Sequence, residues 1–96
     1  IALRDIGGRR GALRKMFVAA SFRGRELGVA GKLLDVLLAH ARAKGVAEIF
    51  LGTTDKFLAA HRFYEKRNFR ELPKTDLPRA FPVMAVDSKF YVLRVS

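Results

Sequence analysis

The hydrophobic positions change period four times along the chain. Ile1–Ile6 and Ala12–Ala19 carry closely spaced apolar residues of strand character, the second with Leu13, Met16, Phe17 and Val18. Between them Gly7-Gly8-Arg9-Arg10-Gly11 supplies turn residues, which predicts a β-hairpin. From about Gly28 the period becomes helical. Leu33, Leu34, Leu37, Leu38 and Ala41 recur three and four residues apart and mark one helix face, with Asp35, Arg42 and Lys44 on the polar side. Gly45 follows as a C-terminal cap. The Ile49-Phe50-Leu51 run within 47–54 predicts a buried strand.

Strand, helix and strand in this order make a βαβ unit with parallel strands, because the crossover is right-handed. Thr54 or Asp55 can cap a second helix to about Lys66, with Phe57, Ala60, Phe63 and Tyr64 at helical spacing. Asn68 suits its left-handed end. A short strand at 69–72, an irregular stretch broken by Pro73, Pro78 and Pro82, and a strand at 89–95 complete the chain. The expected class is α+β, in the order β-β-α-β-α-β-β, as a single domain over 1–96.

Composition narrows the chemistry. With 96 residues the chain is at most one domain, and its zero cysteines exclude a disulfide scaffold and a thiol nucleophile. Two histidines, His40 and His61, leave little for a metal, so none is expected. No apolar run reaches the roughly 18 residues of a membrane span, and no membrane partner is expected. No leader segment is visible, and the expected location is cytoplasmic. The chain starts at Ile1 in what reads as mid-strand, which suggests a portion before it. Nineteen Lys+Arg against nine Asp+Glu give a net charge of +10, suited to a polyanion or a phosphate-rich cofactor, or to plain solubility.

Two segments are candidates for chemistry. Ser21–Gly31 places glycines and Arg23, Arg25 and Lys32 where a strand hands over to a helix. A helix start offers unpaired N–H groups and a partial positive charge, and glycines let a phosphate come close. The spacing is neither that of a nucleotide P-loop nor that of the dinucleotide fingerprint. The same pattern also fits an ordinary glycine-rich loop. The second segment is Ala60-His61-Arg62-Phe63-Tyr64-Glu65-Lys66-Arg67-Asn68-Phe69. Here Tyr64 is either a core tyrosine or a proton donor, His61 reads as a surface or packing histidine, and Phe63 reads as core.

Together the two segments resemble the GNAT superfamily of acyl-CoA-dependent N-acetyltransferases. The family's cofactor motif, Gln/Arg-x-x-Gly-x-Gly/Ala, matches Arg25-Glu26-Leu27-Gly28-Val29-Ala30. Its Ala-x-x-Phe-Tyr-x-x-x-Gly-Phe stretch matches Ala60 to Phe69, with Asn68 in place of the glycine. The resemblance implies acetyl-CoA as co-substrate, with the pyrophosphate at Arg25, Gly28, Val29, Ala30 and Gly31 and with Lys32 adding charge. It implies a pantetheine arm along Phe17, Val18 and Ala19, where two strands splay, and Tyr64 as the residue that protonates the departing thiolate. The acceptor would be a small-molecule or peptide amine.

Phe57 stands where many members have an asparagine that contacts pantetheine. Strand 12–19 lacks the carboxylate that some members use as a base, and Glu26 and Asp55 are in range by sequence. Two other readings remain: a basic nucleic-acid-binding module, and a CoA-binding domain of this type without activity. The first is disfavoured because the aromatics are not interleaved with the basic residues as a stacking surface requires. A homodimer is expected if Ile1–Ile6, or the final strand, lies at an uncovered sheet edge.

Overall fold

The computed structural model describes residues 2–14, 24–55, 58–84 and 87–95, with backbone alone at 2, 14, 24–30, 59 and 60. The elements are β1 (Ala2–Gly7), β2 (Arg10–Arg14), α1 (Gly24–Ala43), β3 (Glu48–Thr53), α2 (Leu58–Lys66), β4 (Arg70–Leu72) and β5 (Lys89–Arg94), the expected order. Phe17, Val18, Ala19, Arg23 and Phe57 lie outside the described residues.

The five strands form one mixed sheet in the order β1-β2-β3-β5-β4. β1 and β2 pair antiparallel, and the hairpin turn is only Gly8-Arg9, with Arg10 and Gly11 already in β2. Both turn residues have positive φ, 62° and 61°, as a two-residue turn matched to strand twist requires. Arg9 also docks the hairpin on the link after α1. Its Nε donates to Gly45 O at 2.8 Å, and its carbonyl accepts from Ala47 N–H at 2.6 Å.

β2 and β3 are parallel, from Arg10↔Glu48 to Ala12↔Phe50. β3 pairs antiparallel with β5 over its whole length, Glu48↔Arg94 to Thr53↔Lys89, and β5 pairs antiparallel with β4. The final strand is therefore interior, which corrects the expectation that it is an edge. The described edges are β1 and β4. Arg70–Leu72 is too short to fill both sides of the sheet's end, and the longer β5 pairs better against β3.

Strand alternation gives the sheet two packed faces. On one, Leu34, Leu37 and Ala41 of α1 and Phe63 and Tyr64 of α2 pack with Ile49, Leu51 and Tyr91. On the other, Phe50, Phe90 and Val92 pack with Phe81 from the loop before β5. Leu33, expected on the core face of α1, is 47% exposed. At 100° per residue the stripe is centred on Leu34, Leu37 and Ala41, and Leu33 falls beyond its edge.

Both helices end as their capping residues predicted. Gly45 has φ 79° and Asn68 φ 72°. Val46 N–H donates to Ala41 O, and Phe69 N–H to Tyr64 O, the bond that closes a helix end around a left-handed residue.

Candidate functional site

In a βαβ unit the helix runs back against the strands, so its start lies at their carboxyl ends, where ligands of α/β sheets bind. α1 begins at Gly24, four residues ahead of the expected start near Gly28. The start of a helix carries N–H groups without an intrahelical acceptor. Positions 25, 28 and 32 follow at intervals of three and four, so Arg25, Gly28 and Lys32 share one helix face. The Lys32 side chain is exposed.

Gly31 sits on a different face. It is buried, and a Cβ there would run into the Arg67 guanidinium. Arg67 follows α2, pairs with Asp35 of α1 at 2.5 Å and lies 5.5 Å from the centre of the Phe63 ring. Gly31 thus lets the end of α2 close on α1. Val29 and Ala30 are helical.

Tyr64 is 3% exposed and belongs to the helix-face core together with Leu13 of β2 and Leu51 of β3. Its ring meets Phe63, Phe69 and Tyr91 with centroids 5.5–5.8 Å apart. Burial, and then the neighbouring Tyr91, push its hydroxyl well above the ordinary phenol range. Tyr64 is core and stays protonated at any ordinary pH. Tyr91 is pushed up likewise, by burial first and then by its hydrogen bond to Glu65 Oε2 at 2.8 Å and the charges of Glu65 and Glu71.

His61 is a packing histidine. It is buried, with Nε2 2.9 Å from the Thr54 carbonyl. A carbonyl only accepts, so that nitrogen carries the proton. Asp55 is exposed, and its N–H donates to Ser88 Oγ at 2.9 Å. Of Glu26 only the backbone is described.

The register shows where a gap can open. β3 continues through Leu51, Gly52 and Thr53 beyond its last register pair with β2, while β5 covers its other side throughout. Sequence reasoning missed a residue at this end. Asp87 lies against Gly52, where a Cβ would come 2.6 Å from Asp87 Oδ2. Thirty-four residues separate the two in sequence, and no local spacing signals the contact.

A cavity of about 520 Å³ lies elsewhere, lined by Arg10, Glu48, Phe50, Arg70 and Val92. Arg10 and Glu48 open β2 and β3, so this cavity belongs to the opposite end of the parallel pair. Among the described residues no three or more side chains could hold a metal ion together, and no helix is long and apolar enough to cross a membrane.

The family model for acetyltransferases of the GNAT family matches residues 1–69. An N-acetylaspartate synthetase of Danio rerio is 36% identical over 64 residues, which are 67% of this chain and 22% of that protein. A crystal structure of a GNAT-family acetyltransferase from Staphylococcus aureus Mu50 superposes with a TM-score of 0.88 at 37% identity, over 98% of this chain and 57% of that one. An acetyltransferase from Streptococcus agalactiae 2603 superposes with a TM-score of 0.84 at 28% identity, over 96% and 56%. The chain spans less than two thirds of the length of each. With the family model over more than half of its residues and the matching sheet order, the chain belongs to the GNAT acetyltransferase family.

Proposed function

We propose that this chain is part of a single acetyltransferase domain that moves an acetyl group from acetyl-CoA directly to a primary amine. The observation that carries the proposal is the buried Tyr64 packed with Leu13 of β2 and Leu51 of β3, at the end of the parallel pair where β3 runs past its last described register pair with β2.

The residues fit the co-substrate. The first-turn N–H groups and the Arg25, Gly28 and Lys32 face would take the pyrophosphate, with Gly28 admitting close approach. The remaining segment expected to line it, Val29 to Gly31, continues the same helix. Phe17, Val18 and Ala19 follow β2 and would carry the pantetheine arm toward the end of β3.

The amine nitrogen forms the new C–N bond to the acetyl carbon as the C–S bond breaks. The sulfur leaves with the bonding pair and takes the proton of Tyr64, while the nitrogen loses a proton to water. Most of the acceleration comes from holding the two substrates in line. Burial keeps the Tyr64 proton in place at every working pH and makes the hydroxyl a weaker acid, so the transfer depends on the departing sulfur being held against it. The activity for which the Danio rerio relative is named adds one candidate acceptor, aspartate. The cytoplasm is the proposed place of reaction.

The test is acetyl-CoA binding by calorimetry, followed by thiol release with a panel of amines that includes L-aspartate and n-butylamine. The same binding assay on Gly28→Val should show at least a tenfold loss of affinity. Unchanged affinity in that variant removes the pyrophosphate assignment. Binding of an oligonucleotide with a steep salt dependence, without acetyl-CoA binding, favours the nucleic-acid reading instead.

A further inference from the structure

We infer that Asp87 is the acceptor subsite: its carboxylate receives the ammonium group of a primary amine whose carbon chain lies on Val83 and Met84. The inference rests on the acetyltransferase reading above and names the residue that reading lacks on the acceptor side.

The first argument is charge. Lys and Arg outnumber Asp and Glu by 19 to 9. Among the described carboxylates only Glu48 and Asp87 are half-buried, and the others are exposed. Glu48 has Arg10 at 3.5 Å. Asp87 has no cation among the described residues. Among the described residues its Oδ2 accepts the Met84 N–H alone, at 2.9 Å. A carboxylate has about four lone-pair sites, so one backbone N–H leaves acceptor capacity for an incoming ammonium. In a chain this basic, a half-buried carboxylate with no cation among the described residues is suited to one from outside.

The second argument is place. Asp87 Oδ2 lies where a side chain at position 52 would be, and Gly52 belongs to the part of β3 beyond its register with β2. Leu51 packs with Tyr64 in the helix-face core, and Gly52, the next residue, faces the other side. The proton donor and the carboxylate thus flank β3 on opposite faces at adjacent residues. An amine held by Asp87 comes to the strand end from the side opposite Tyr64.

The third argument is fixation and lining. Ser88 N–H donates to Thr53 O at 2.9 Å, and Asp87 N–H donates to Met84 O at 3.0 Å, which fastens the carboxylate to the end of β3. Val83 and Met84 are 40% and 50% exposed, an apolar surface beside a charge. That pairing fits an alkyl or aralkyl amine better than one carrying its own carboxylates.

The test separates this role from that of a turn cap, because asparagine keeps an oxygen for the Met84 N–H. The Gly52 amide and the Asp87 carboxyl carbon are followed by NMR as n-butylammonium chloride is added to the whole chain with CoA present, with n-butanol as the uncharged control. The expected result is a saturable shift in the wild type, at least tenfold weaker binding in Asp87→Asn at an unchanged melting temperature, and no saturation with n-butanol. Gly52→Ala, which pushes the carboxylate aside, should weaken amine binding. Equal amine binding by Asp87→Asn and wild type overturns the inference, as does an absence of saturation in the wild type. Acetyl-CoA binding on the same samples tests the acetyltransferase reading separately, so either can fall while the other stands.

Discussion

The Arg67 guanidinium fills the space that a side chain on Gly31 would occupy, so a glycine in one helix and an arginine after the next form a single contact. In the same place Arg67 reaches Asp35, one turn along α1 from Gly31.

Gly31→Ala should change stability by no more than about 1 kcal/mol. Alanine gains about 1 kcal/mol of helix propensity over glycine. Against this stands the displaced pair, which is partly exposed and contributes about 0–1 kcal/mol. The obstacle is the far end of a flexible side chain, which moves at little cost. Urea unfolding measures the sum. Asp35→Asn should then cost less in the Gly31→Ala background than alone, because the pair it would break is already open.

Tyr64→Phe should lower kcat by about 10²–10⁴-fold with little change in acetyl-CoA affinity, the signature of a lost general acid. Steady-state kinetics with calorimetry decide it. A near-normal kcat leaves Tyr64 with its packing role alone.

Alkaline pH should destabilise the fold through Tyr64 and Tyr91. Both hydroxyls are raised above their ordinary value of 10.0, so the folded chain holds protons that the unfolded chain has released. Their contribution is complete below pH 10 and is lost as pH climbs toward the raised folded values. The urea midpoint should fall more between pH 9 and pH 11 in the wild type than in Tyr64→Phe. Equal slopes would show that Tyr64 takes no part.

The homodimer expectation now rests on β1 alone, since β5 is interior. Leu3 and Ile6 of this strand are half-buried against the two cores, and no other described strand pairs with its outer side. Light scattering on this chain should give a dimer, and an arginine-to-proline change at Arg4 should reduce it to a monomer if β1 forms the contact. A monomer at high concentration removes the proposal.

Much of this was legible in the residues because the signals are local. Leu34, Leu37 and Ala41 announce α1 by spacing, and Gly45 and Asn68 announce the helix ends by their tolerance of positive φ. Arg25-to-Ala30 and Ala60-to-Phe69 announce the family by order. The place of β5 was not legible, because the apolar residues of 89–95 announce a strand without saying which neighbours it has. Asp87 was hidden for a related reason. Its loop reads as proline-broken chain, and what distinguishes it is a contact with Gly52, a residue remote in sequence. His61 reads from sequence as packing or surface, and only its bond to Thr54 decides for packing.

The position of β5 also sets an order on folding. β3 and β4 are made before it, yet they do not pair with each other, and both are joined through the strand that follows the 73–88 loop. During synthesis the β1–β2 hairpin and the β2–α1–β3 unit can assemble as they emerge, while β4 waits without a partner. Closure of the sheet is a late, non-local event, and such pairings fold slowly. Until then β3 presents an open apolar edge to the ribosome's surroundings, the kind of edge that chaperones shield and aggregates exploit.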